Sequence, residues 1–218
     1  MDKFADRYTA GKTLAKELKD YAQKKEVIVL ALPRGGVPVA YEIAKSLDVP
    51  MDVFIVRKLG VPMQEELAMG AIATGDAVVF NDEIIEQLSI SKASIDRVIK
   101  AEKQELKRRE VAYRGDRPYP EFKNKKVILV DDGIATGASM RAAIKAIRQQ
   151  SPSEIIVAVP VAAFTTCVEL SELVDKVVCP LKPTFFYAVG AWYDDFTQTT
   201  DEEVHGLLAK LEKQNSHS

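Results

Sequence analysis

The sequence predicts an α/β fold, a doubly wound parallel sheet with helices on both faces. Three observations carry that expectation. Short, continuous apolar runs rich in Val and Ile recur at 27–32, 53–56, 127–130, 155–159 and 177–178. Helical patterns lie between them at 37–47, 139–150 and 164–173. The runs do not alternate with polar residues, and strands of that kind belong to sheets buried on both faces. Crossovers in such a sheet are right-handed, and ligands sit beyond the carboxyl ends of the strands.

Length and composition set the frame. At 218 residues and 47% hydrophobic, the chain can bury a core of its own and suits one domain over 1–218. Thirty Lys and Arg face 32 Asp and Glu, a formal net charge of −2, which argues against a global field for nucleic acid. Cys167 and Cys179, with His205 and His217, are too few for a disulfide framework or a Cys/His zinc site. No apolar run approaches the roughly 20 residues that span a bilayer. The N-terminal MDKFADRYTAGK is charged and lacks the apolar stretch of a secretory signal. A cytoplasmic protein without membrane contact is therefore expected.

Taken in order, each element has a local cause. Gly11-Lys12-Thr13 has neither the preceding strand nor the earlier glycine of a P-loop and reads as helix and turn. Run 27–32 leads into Pro33-Arg34-Gly35-Gly36 and then a helix, so small residues can bring backbone N–H groups to an anion. Run 53–56 continues into Arg57-Lys58-Leu59-Gly60, which places two cations at the same sheet edge. Residues 82–112 read as wholly helical and strongly charged, ending in Lys107-Arg108-Arg109. Glu102, Glu105 and Glu110 dilute that charge, so it reads as a solvated face. Pro118 and Pro120 make 114–124 an irregular connection, so 82–124 reads as an inserted helical piece.

The most informative stretch is 127–139, V-I-L-V-D-D-G-I-A-T-G-A-S. A buried strand delivers Asp131 and Asp132 at its end. Gly133, Thr136, Gly137 and Ser139 form a small-residue turn, and a helix opens at about Ala138. The N–H groups of that helix start, with the Thr and Ser hydroxyls, suit phosphate oxygens. Two acids beside a phosphate must face something else, such as sugar hydroxyls or a metal ion. Beyond it, 180–200 is rich in aromatics, and a last helix over 201–213 carries Val204, Leu207, Leu208 and Leu211 on one face.

This stretch resembles the phosphoribosyl pyrophosphate (PRPP) signature of type I phosphoribosyltransferases, departing mildly at Gly133, where an aliphatic residue is commoner. The resemblance spans about 27–150. It implies that Asp131 and Asp132 contact the ribose hydroxyls and, directly or through water, Mg2+. It implies that Ala135, Thr136, Gly137, Ala138 and Ser139 hold the 5-phosphate. Arg34, Gly35 and Gly36 resemble the family's pyrophosphate loop, in which a non-proline peptide, sometimes cis, turns an amide toward the ligand. Arg57 and Lys58 resemble the start of a mobile loop over 59–68 and would join in binding pyrophosphate.

The activity implied is transfer of phosphoribose from PRPP to a nitrogen nucleophile, a nucleobase or amine, with release of pyrophosphate. Hypoxanthine-type members carry an acid in the phosphate loop where Ala135 stands here. Glu65 or Glu66 is then the expected substitute base, joining Asp131 and Asp132 as catalytic residues. Residues 185–196 resemble the purine-side hood, which makes Phe186, Tyr187, Trp192 and Asp194 base-binding candidates. A homodimer is expected from the resemblance. The alternative is a regulator on the same fold that binds PRPP or nucleotides without turnover, although no helix-turn-helix is evident.

Overall fold

A computed structural model describes residues 3–215. The extreme ends of the 1–218 expectation, His217 included, lie outside the described residues. In chain order the elements are α1 (Arg7–Glu17), β1 (Val27–Ala31), α2 (Gly36–Leu47), β2 (Met51–Val53), β3 (Val56–Val61), β4 (Gln64–Ala73) and β5 (Ala77–Phe80). They continue with α3 (Asp82–Gln87), α4 (Lys92–Arg114), β6 (Lys126–Val130), α5 (Ala138–Arg148), β7 (Glu154–Ala158), α6 (Phe164–Ser171), β8 (Lys176–Val178) and α7 (Asp201–Asn215). No helix among the described residues is long and apolar enough to cross a membrane.

The expected parallel sheet is present, ordered β2-β1-β6-β7-β8, with every neighbouring pair parallel. Its apolar runs are explained by what each face meets. Val27, Val29 and Ala31 of β1 pack with α1, α2, α4 and α7, whereas Ile28 and Leu30 pack with α5 and α6. Successive strand residues point to opposite faces, so a sheet covered twice needs apolar residues at every position. β1 and β6 are adjacent at its centre, in register from Val27–Lys126 to Ala31–Val130. The loops after both strands therefore emerge side by side.

Three expectations need correction. The run at 53–56 is not one strand. Phe54 N–H still donates to the Ala31 carbonyl at 2.9 Å, but Ile55 instead exchanges hydrogen bonds with Thr74. The chain thus leaves one sheet and enters a second, antiparallel one ordered β3-β4-β5. Phe54 and Ile55 are buried like strand residues, so composition gave no sign of the transfer. Second, 59–68 is not an open loop. It forms most of the β3–β4 hairpin, with Met63 at the tip at φ 67° and register shifts around Gly60. Third, 82–112 breaks between α3 and α4, where Ser89 takes φ 49° and the Ser91 hydroxyl caps α4 by accepting from Ser94 N–H.

Helix α4 is 23 residues long and is more than a solvated arm. Leu106 and Tyr113 are buried, and Ile95, Val98 and Ile99 pack against the same core. At its end Arg114 makes a bidentate pair with Asp52 of β2, both bonds 2.7 Å and both side chains almost fully buried. The connection over 114–124 is irregular, as the prolines predict.

Candidate active site

The site begins where the β1 and β6 loops touch. Leu32 N–H donates to the Val130 carbonyl at 2.8 Å, extending the sheet pairing by one residue. The Pro33–Arg34 peptide is cis. Gly36 then packs so closely on β6 that a Cβ would lie 2.8 Å from the Val130 carbonyl oxygen and 3.0 Å from Asp131 Cα. A Cβ at Gly35 would fall on Asp132 Oδ2. Two motifs almost a hundred residues apart are thus in direct contact, and only glycine allows the approach.

Asp131 and Asp132 are half-buried side by side at the end of β6. Asp131 Oδ1 accepts the Asp132 N–H at 2.8 Å. Burial, and then the neighbouring Asp132 charge, push the Asp131 carboxyl well above the usual carboxylate range. Asp132 has a different partner. Arg7 of α1 donates from Nε to Asp132 Oδ2 at 3.0 Å, donates to the Thr197 carbonyl at 2.6 Å, and lies 4.0 Å over the Phe196 ring. Tyr193 O–H donates to the Asp132 carbonyl at 2.6 Å, and burial holds that phenol far above its ordinary pKa.

The turn that follows is exposed on its outer side and supported from beneath. Ala135, Thr136, Ala138 and Ser139 are exposed, while Gly137 is buried at φ 79° and precedes α5. Arg141 donates to the Thr136 carbonyl at 2.5 Å and pairs closely with Glu169 of α6. Thr166 O–H donates to the Ala135 carbonyl at 3.2 Å. With carbonyls tied inward, the hydroxyls of Thr136 and Ser139 and the unpaired first-turn N–H groups of α5 remain for an anion.

The other expected residues divide. Arg34 reaches Asp201 at 3.5 Å. Arg57 and Lys58 do not act as a couple, because neighbours on a strand face opposite ways. Arg57 is bound by Glu102 of α4 at 2.7 Å. Lys58 lies on the other side, at a cavity of about 380 Å³ that also borders Ala138, Ser139, Arg141 and Lys145. Glu65 and Glu66 stand exposed at the start of β4, with no hydrogen bond or ion pair to the acidic pair among the described residues.

In 180–200, Phe186 stacks on Trp192 at 6.4 Å, and Trp192 Nε1 is buried with no hydrogen-bond partner among the described residues. Tyr187 is 90% exposed, and Asp194 is exposed with its N–H given to the Phe4 carbonyl at 2.9 Å.

Sequence reasoning missed Arg7, Tyr193, Phe196 and Thr197, which join the N-terminal helix and the hood segment to Asp132. The departure at Gly133 has a structural partner. A Cβ there would lie 2.5 Å from Val189 Cγ1, so a hood residue occupies the space an aliphatic side chain would need.

Two successive carboxylates are hard oxygen donors of the kind Mg2+ takes, one or two at a time, together with substrate oxygens and water. Among the described residues no group of three or more His, Cys, Asp or Glu is placed to hold a metal alone. The donor set therefore fits an ion shared with a substrate rather than a closed protein cage.

A glycine turn after one central parallel strand is thus pressed against an acidic pair after the next, at one edge of an α/β domain. The family follows. The chain matches the model described as "Phosphoribosyl transferase domain" over residues 3–195 and belongs to that family. It is 42% identical over 213 residues to "Putative phosphoribosyl transferase Rv0571c" of Mycobacterium tuberculosis H37Rv, covering 98% of this chain and 48% of that protein. The counterpart from strain CDC 1551 matches with the same identity and coverage. The chain thus spans about half the length of these curated relatives. The crystal structure of TT1426 from Thermus thermophilus superposes with a TM-score of 0.85 at 39% identity, covering 96% of this chain and 99% of that one. The architecture is the α/β type I phosphoribosyltransferase fold.

Proposed function

We propose that this chain transfers 5-phosphoribose from PRPP to a nitrogen nucleophile, a nucleobase or amine, and releases pyrophosphate. The observation that carries this reading is the direct packing of Gly35 and Gly36 on Asp131 and Asp132. It brings the Pro33–Gly36 turn against the acidic pair, which supports a reading in which one PRPP molecule would span both. Thr136, Ser139 and the first-turn amides of α5 would hold the 5-phosphate. Asp131 and Asp132 would orient the ribose hydroxyls, with Arg7 holding the Asp132 carboxylate in place through its 3.0 Å contact. Amides of the Pro33–Gly36 turn, that of Arg34 among them, would stabilise negative charge growing on the leaving pyrophosphate. Mg2+ held by Asp131 and Asp132, directly or through water, would neutralise pyrophosphate charge when bound.

The acceptor would enter between the β3–β4 hairpin and the hood segment. Phe186, Tyr187, Trp192 and Asp194 are the residues we assign to it, and an aromatic surface there tolerates many ring systems. Hairpin closure would exclude water that otherwise hydrolyses PRPP, and it would carry Glu65 or Glu66 toward the acceptor nitrogen as base.

The test is pyrophosphate release from Mg2+–PRPP across a panel of purines, pyrimidines and small amines. We expect acceptor-dependent release that falls at least 100-fold in Asp131→Asn/Asp132→Asn. Glu65→Gln or Glu66→Gln should lower kcat while leaving PRPP affinity unchanged. PRPP binding without release for any acceptor would replace the transferase by a PRPP-sensing regulator.

A further inference from the structure

The turn after β1 has a second side. Its glycines press inward on the acidic pair, but the Arg34 side chain projects the other way, into a cavity of about 150 Å³ against α4 and α7. Arg108 and Arg109 of α4 line the same cavity, with Ala112, Tyr113 and Asp201. Three guanidiniums from two separated stretches of chain meet there. Their internal compensation is incomplete. Arg108 and Arg109 share one carboxylate, Glu105, at 2.8 Å. Arg34 has a single 3.5 Å contact with Asp201, and Asp201 also serves the Tyr113 hydroxyl. Three cations against two carboxylates leave one positive charge in excess.

Helix α4 gains only a little stability from holding Arg108 and Arg109 together, through surface pairs with Glu105 one turn away. Side by side they repel, and exposed pairs with Glu105 contribute little. Guanidiniums that converge on one small space match an anion with several acceptor oxygens. A terminal phosphoryl group offers three and a charge near −2. The volume suits it, since a water takes roughly 30 Å³ of liquid. The cavity shares no lining residue with the acidic pair or the 135–139 turn.

We propose that Arg34, Arg108 and Arg109 form a second anion site that binds a phosphoryl group, on the outer side of the turn whose inner side faces the acidic pair. The shared chemistry is a terminal phosphate, free or carried by a nucleotide. An anion there draws Arg34 from Asp201, so its occupancy acts on the turn whose amides face the first site.

Calorimetric titration of the full chain with inorganic phosphate, and separately with a nucleoside monophosphate, tests this without any turnover. We expect Arg108→Gln/Arg109→Gln to weaken one phosphate-binding event at least tenfold. Thr136→Val/Ser139→Ala should leave that event in place and remove the other. Glu105→Gln, which frees both guanidiniums, should tighten the first event several-fold, and this arm stands even if the double variant folds poorly. Tighter binding of the nucleotide than of phosphate would identify a nucleotide as the source; equal binding would identify free phosphate. The proposal is overturned if Glu105→Gln and Arg108→Gln/Arg109→Gln both titrate as the parent does, or if Thr136→Val/Ser139→Ala abolishes all phosphate binding. If only the Arg108- and Arg109-dependent event is seen, this site stands on its own, whatever PRPP titration shows for the acidic pair.

Discussion

Gly36 shows how much of this site rests on the absence of one carbon. The atoms a Cβ would meet belong to the backbone of β6, which cannot swing aside as a side chain can. Gly36→Ala should therefore destabilise the fold by about 1–3 kcal/mol and weaken PRPP binding together with it. A thermal melt beside a PRPP titration checks both; an unchanged melt would mean that the loops do not touch as described. Asp175 makes a pH-dependent prediction. It accepts Ile155 N–H at 2.8 Å and pairs with Arg148 at 3.0 Å, and these hold its carboxyl below the ordinary range. A depressed folded pKa adds stability above the unfolded pKa, and that stability is lost as pH falls through the folded one. Asp175→Asn should thus be less stable than the parent at neutral pH, and the gap should close in acid; urea midpoints across that range measure it. Residues were legible where a motif is contiguous, as at Asp131, Asp132, Thr136 and Ser139. Arg7 and Tyr193 were not, because they reach Asp132 across 125 and 61 residues, and no local pattern records such a contact.

At the scale of elements, α4 and the β3–β4 hairpin give this chain its own character. α4 holds Arg57 through Glu102, contributes Arg108 and Arg109 to the outer cavity, and anchors in the core through Leu106. Leu106→Ala removes a side chain only 2% exposed. It should cost about 2–5 kcal/mol, seen in denaturant unfolding, and hydrogen exchange should rise along α4. A loss under about 1 kcal/mol, well short of a buried-core truncation, would mean that α4 is an appendage. Helices and central strands were readable from period and composition, but two boundaries were not. The transfer from β2 to β3 runs through buried apolar residues on both sides, so hydropathy is continuous across it. The α3–α4 break depends on Ser89 taking a left-handed φ, which a charged helical pattern masks.

For the whole molecule, the parallel order β2-β1-β6-β7-β8 brings the two loops together by topology alone. That arrangement was legible because each buried strand carries its own unbroken apolar run. The second sheet was not, since Gly60, Gly70 and Glu-rich β4 lack a strand's usual signature. Everything proposed for the first site requires that the β1 and β6 loops together form one PRPP site. Calorimetric titration of the chain with PRPP in Mg2+, parent against Asp131→Asn/Asp132→Asn, puts that requirement to the test. One PRPP per chain is expected, with at least a tenfold loss of affinity in the variant. No PRPP binding by the parent, or equal binding by both proteins, would contradict it.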